Sequence, residues 1–121
     1  MFFRRPCLHL KPVTYQVAIN FFDDGSVRSA FSQWLVNKHV GDMLKCPGFI
    51  SAKIFCDDLI SNSETPPLVV QYHVESVEAY RAYDSSDRAA ELRAEAAQLF
   101  GESNEKPLFK IDRRLLTPLD L

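Results

Sequence analysis

The sequence predicts an α+β domain in which strands and helices follow one another as β-α-β-β-α-β, with both helical segments on one face of a four-stranded antiparallel sheet. Three observations carry this expectation. Apolar residues alternate with period two at four places, helical stripes separate the first strand from the second and the third from the fourth, and capping or turn residues mark the switches. A chain of 121 residues is the length of one domain and buries roughly two-thirds of its unfolded surface.

The first strand spans 13–22, where Val13, Tyr15, Val17, Ile19 and Phe21 alternate with Thr14, Gln16, Ala18, Asn20 and Phe22. Asp23-Asp24-Gly25-Ser26 follows, supplying turn residues, an N-cap at Ser26 and negative charge beside the positive end of a helix dipole. Val27, Ala30, Phe31, Trp34 and Leu35 then form one apolar stripe. Past Lys38 the stripe loses definition, with Val40, Met43 and Leu44 drifting out of register until Pro47-Gly48 ends the helix.

In the second strand, 49–57, Ile50, Ala52, Ile54 and Cys56 share one face, while Phe49, Ser51, Lys53, Phe55 and Asp57 share the other. The stretch 58–67 reads as an exposed connection. Leu68, Val70, Tyr72 and Val74 build the third strand, and Ser76 caps a helix bearing Val77, Tyr80 and Tyr83. Residues 84–87 break or re-cap that helix. Ala89, Leu92, Ala96, Leu99 and Phe100 then line one face, with Gly101 expected at the left-handed position after the helix. In the last strand, 108–116, Phe109, Ile111 and Leu115 share a face that Arg113 interrupts. Two split crossover units in this order give the ferredoxin-like arrangement. The domain is 13–116, with an N-terminal extension, 1–12, and a tail, 117–121.

Both helices on one side leave the opposite sheet face uncovered, about 350 to 400 Å² for four strands of ordinary length. If the purely apolar sets face the helices, Gln16, Ala18, Asn20, Phe22, Phe49, Lys53, Phe55, Val69, Gln71, His73, Lys110 and Arg114 lie on that open face. It is too aromatic for a solvated face and too polar for a dry core. The expectation is a homodimer that pairs through this face around a half-buried cavity.

A net charge of -2 and a pI near 5.9 offer no long-range attraction to phosphate backbones or acidic membranes. No apolar run approaches the roughly 18 residues of a membrane span, so no membrane partner is expected and the protein reads as cytoplasmic. Cys7, Cys46 and Cys56 match no zinc or thioredoxin spacing and read as reduced thiols, although spacing alone leaves a disulfide open. Asp23-Asp24 and Asp57-Asp58 read as solvated turns, since two adjacent carboxylates make a weak cation site. No metal or cofactor is expected. Phosphate-loop, zincin and nucleophile-elbow motifs are missing from the sequence.

The element order, with Cys46-Pro47-Gly48-Phe49 and Glu75-Ser76-Val77-Glu78-Ala79-Tyr80, resembles the dimeric α/β-barrel superfamily. More narrowly, Trp34 with His39, Met43-Leu44, Val70-Gln71-Tyr72, Leu92-Arg93-Ala94-Glu95, Phe100-Gly101 and Arg113-Arg114-Leu115 is similar to the uncharacterised domain-of-unknown-function family 4286. The resemblance implies face-to-face packing of two sheets more than any activity. A histidine often follows the Leu-Arg-x-Glu phrase in that pattern, whereas Ala96 stands here. Haem-degrading members need Asn, Trp and His in an order that Trp34 and His39 on the first helix do not reproduce.

His39, at the edge of the first stripe, and His73, in mid-strand, are the candidate catalytic residues. Asn20, Trp34, Phe55, Gln71 and Tyr72 are the candidate substrate contacts. Each has a structural alternative: a helix-end or interface histidine, a core tryptophan, a packed strand residue. The functional expectation is a small-molecule site in a homodimer, between the sheets or between sheet and helices, serving a cofactor-free oxygenase or isomerase. The alternative is a non-catalytic metabolite-binding or protein-interaction module. An RNA-recognition domain shares the element order, but the third strand lacks the basic, glycine and aromatic signature, so nucleic acid is not expected.

Overall fold

In the computed structural model, residues 11–22, 26–59, 66–101 and 108–119 are described. β1 (Val13–Phe21) leads into α1 (Ser26–Trp34), a π-helical turn (Leu35–His39) and α2 (Val40–Leu44), which form one continuous helical path. β2 (Phe49–Cys56), β3 (Leu68–Val74), α3 (Val77–Asp84), α4 (Asp87–Phe100) and β4 (Phe109–Leu116) follow. The strands form one antiparallel four-stranded sheet in the order β2-β3-β1-β4. This is the α+β ferredoxin-like arrangement that the periodicity predicts.

The π turn accounts for the drifting stripe. Its defining bond runs from the Val40 N–H to the Leu35 carbonyl, five residues back, which inserts one residue into the helical register. Downstream apolar positions are delayed by one: Phe31 and Leu35 are buried before the turn, Met43 and Cys46 after it. Lys38 is left outside, exposed.

β2 departs from the predicted alternation at its start. Phe49 pairs with Val74 and Ser51 with His73, so Ile50 is the extra residue of a bulge. Phe49 therefore belongs to the helix-facing core, at 7% exposure, and not to the open face as simple alternation requires; Ile50 stands out at 57%. Gly48, at φ +87°, makes the entry turn. A Cβ there would lie 2.6 Å from the Ala79 Cβ, so glycine is required by both conformation and space.

Ser76 caps α3 as the sequence predicts, its Oγ accepting the Ala79 N–H at 3.0 Å, and within 84–87 Ser86 re-caps the chain, its Oγ accepting the Ala89 N–H at 3.1 Å. Ser26, expected as an N-cap, is instead the first helical residue of α1. Gly101 does not take the left-handed position expected of it. At φ -129° it extends the helical pattern, its N–H reaching the Ala97 carbonyl at 2.9 Å. The turn at Asp23-Asp24-Gly25, Cys7 and the N-terminal extension to residue 10 lie outside the described residues.

The core lies between sheet and helices, built from Val13, Tyr15, Ile19, Phe21, Leu68, Val70, Tyr72 and Val74 below and Phe31, Leu35, Met43, Tyr83, Ala89 and Leu92 above. Among the described residues no helix is long and apolar enough to cross a membrane.

Candidate functional site

Two regions hold the chemistry-bearing side chains, one on each face of the sheet. On the helix face, the π turn brings the His39 ring onto Trp34, stacked at 4.5 Å between centroids and 22° between planes. The Trp34 indole N–H donates to Glu95 on α4 at 3.4 Å. The Lys38 ammonium bridges Asp42 at 2.8 Å and Glu95 at 2.9 Å, tying the first helix to the last. These hydrogen bonds raise the Lys38 pKa and lower those of Asp42 and Glu95. At such exposure the bridge positions Glu95 more than it stabilises the fold.

Burial pushes the His39 pKa down to about 4, against the pull of Glu95 and Asp42. The imidazole is therefore neutral at ordinary pH, with its Nδ1 buried and without a hydrogen-bond partner.

The layer between helices and sheet also holds a cluster of tyrosines. Tyr15 of β1, 2% exposed, has its ring 4.7 Å from Tyr80, 5.9 Å from Tyr72 and 6.2 Å from Tyr83. Burial raises the Tyr72 and Tyr83 phenols and pushes Tyr80 up to about 12, so each stays protonated. Arg93 of α4 lies 5.8 Å above the Tyr83 ring and donates to Asp84 at 2.6 Å. Burial works against its charge, but hydrogen bonds to Asp84 and Tyr15 hold its pKa above the usual range. Arg113, opposite Val17, carries a positive charge that lowers the pKa of both His39 and Tyr83, a minor influence beside burial in each case.

Among the described residues, two buried side-chain nitrogens or oxygens lack a hydrogen-bond partner: His39 Nδ1 and Arg93 Nε. Both belong to the layer between helices and sheet. An unpaired buried polar group costs about 1–3 kcal/mol, so each of these nitrogens has a hydrogen bond left to make.

The open face carries the second region. His73 is exposed and lines two clefts, one of about 420 Å³ with Thr14 and Leu116, the other of about 350 Å³ with Ser51, Lys53 and Gln71. The Gln71 amide donates to the Gln16 carbonyl at 2.9 Å. Asn20 stands opposite Lys110, and Phe55, 43% exposed, opposite Val69.

The sequence-predicted residues thus divide. Trp34, His39 and Tyr72 lie on the helix side, Tyr72 at 1% exposure within the core; Asn20, Phe55, Gln71 and His73 lie on the open side. The sheet separates His39 from His73, so one site within one subunit cannot use both. Tyr15, Arg93, Glu95 and Arg113 complete the helix-side cluster and were not among the sequence candidates. Their signals were present: the Leu-Arg-x-Glu phrase and a lone arginine inside an apolar strand face. Asp57 and Asp58 sit at a turn in which the Asp57 carboxylate accepts the Leu59 N–H at 3.1 Å. Among the described residues no three His, Cys, Asp or Glu side chains gather to hold a metal.

Residues 13–106 match the sequence pattern of the family described as Domain of unknown function (DUF4286). The chain belongs to this family. No curated protein matches it. Among solved structures, Rv0793 of Mycobacterium tuberculosis is similar at a TM-score of 0.61 and 19% identity, over 92% of this chain and 98% of that one. A monooxygenase of Streptomyces coelicolor in complex with nanaomycin D aligns at 0.61 and 21%, over 89% and 88% of the two chains. SnoaB, a cofactor-independent oxygenase of Streptomyces nogalater, aligns at 0.55 and 15%, over 92% and 96%. At such identities the likeness is one of fold: this DUF4286 chain shares the ferredoxin-like frame of these structures.

Proposed function

We propose that this DUF4286 protein is a homodimer that binds a small oxygen-bearing organic molecule between its helices and sheet and converts it without a cofactor, as an oxygenase or isomerase. The observation that carries this reading is the pair of orphaned buried nitrogens, His39 Nδ1 and Arg93 Nε. A substrate oxygen meeting either nitrogen would relieve its deficit. The named structural neighbours add support, since two of them are described as oxygenases acting on a related frame.

Chemically, a neutral imidazole accepts the proton of a phenol or enol, and the oxyanion left behind is stabilised by the Arg93 and Arg113 guanidinium groups. With its pKa near 4 the imidazole is a weak base when the site is empty. An anion forming beside it raises that pKa, as Glu95 and Asp42 already do. With molecular oxygen as co-substrate, a carbon of the anion forms a C–O bond to give a peroxide that takes the imidazolium proton and loses water to a quinone. Without oxygen, the imidazolium proton returns to that carbon and the product is the keto isomer. Trp34 and the tyrosine rings supply aromatic walls.

Pairing rests on the open face, where Phe22, Phe55 and Leu116 stand 59%, 43% and 42% exposed among polar neighbours. A second sheet laid over it would cover these side chains and close the clefts beside His73, Gln71 and Asn20.

A panel of phenols and naphthols, followed by oxygen uptake and product mass, tests the chemistry. Turnover of one compound by wild type should fall at least about tenfold in His39→Gln and in Arg93→Met. Unchanged turnover in both variants contradicts the assignment. Saturable binding with no turnover across the panel favours a metabolite-binding module instead.

A further inference from the structure

A cavity of about 380 Å³ lies between the end of the first helical path and α3, lined by Asp42, Lys45, Cys46, Pro47, Glu75, Ala79, Ala82, Tyr83, Ser86 and Arg88. That volume falls within the range of small-molecule sites, about 300–1,000 Å³. The cavity opens on another side of the helical layer from the His39 ring and shares Asp42 and the Tyr83 side chain with the cluster described above. Its shape follows from the sequence: Gly48 lets the start of β2 press against Ala79, and Ala79 and Ala82 present no bulk to fill the space.

We infer that this cavity is a second binding site, for a small, mainly apolar molecule of aromatic dimensions. The wall is apolar at Cys46, Pro47, Ala79, Ala82 and the Tyr83 ring. Charges at its edge are already partly compensated: Asp42 is held by Lys38 at 2.8 Å and approached by Arg88 at 4.0 Å, and Arg88 also pairs with Glu91 at 3.1 Å. Water against the Cys46, Pro47, Ala79 and Ala82 side of this space finds few partners, so its displacement there by an apolar body is favourable, while Lys45, Glu75 and Ser86 remain at the edge. Cys46, 7% exposed, makes only a long contact to the Asp42 carbonyl at 3.8 Å, and burial raises its pKa. It stays mainly a thiol at neutral pH, so its alkylation is slow and depends on access to the cavity wall.

The probe is N-phenyl-1-naphthylamine, an uncharged aromatic whose fluorescence rises in apolar surroundings. It should bind wild type saturably and slow alkylation of Cys46 by N-ethylmaleimide, read peptide by peptide in a mass spectrometer, while alkylation of the exposed Cys56 is unchanged. Ala82→Trp, at an exposed helix position, should fill the space and weaken binding at least about tenfold. Binding of equal strength in a folded Ala82→Trp, or Cys46 alkylation indifferent to the probe, overturns the inference. The protection measurement uses wild type alone and decides the matter if Ala82→Trp folds poorly. Neither outcome depends on turnover at His39.

Discussion

His39 shows how one residue can report on its surroundings. Its folded-state pKa near 4 lies below the ordinary 6.5 because burial disfavours the charged ring. The unfolded chain therefore binds a proton that the folded chain refuses, and stability falls as pH drops from about 6.5 toward 4, by about 3 kcal/mol at most. Comparing urea midpoints at pH 7 and pH 4.5 should show a smaller acid loss in His39→Phe, which keeps the stack on Trp34, than in wild type. An equal loss would mean that His39 is not held neutral. Gly48 gives a second test at this scale. Gly48→Ala combines a positive φ with a 2.6 Å approach to Ala79 and should cost at least about 1–3 kcal/mol in chemical denaturation.

At the scale of elements, boundaries were legible wherever a side chain satisfies a backbone group. Ser76 and Ser86 each cap a helix, and either serine replaced by alanine should lower stability by about 1 kcal/mol. Ser86 also donates to the Tyr83 carbonyl at 2.6 Å, so its loss should be the larger, as paired thermal melts would measure. What periodicity could not reveal were single-residue insertions. The π turn delays Met43 by one position and the bulge at Ile50 moves Phe49 across the sheet. Both change register by one, and a one-residue slip in a strand reverses the face of a side chain. The candidate site was half legible for the same reason. Trp34 could be picked from the apolar stripe and His39 from its edge, but Arg93, Glu95 and Tyr15 act through contacts between elements distant in sequence. The Trp34 to Glu95 hydrogen bond joins residues 61 apart.

For the molecule as a whole, the sheet has two unlike faces. One is closed by helices over Tyr15, Tyr72, Val70 and Ile19, all at or below 2% exposure; the other carries Phe55, Gln71, His73 and Lys53 without cover from the described chain. The order of elements follows from periodicity and turns, and the mixture of aromatic and polar residues on the second face is what led from the sequence to a paired molecule. That pairing is the part of the account on which the reading of Asn20, Phe55, Gln71 and His73 as chamber-lining residues depends. Native mass spectrometry of the purified protein at micromolar concentration tests it most directly. The account predicts a species of twice the 13.8 kDa chain mass for wild type and a monomer of unchanged circular dichroism for Phe55→Asp; a wild-type protein found only at the mass of one chain would contradict it.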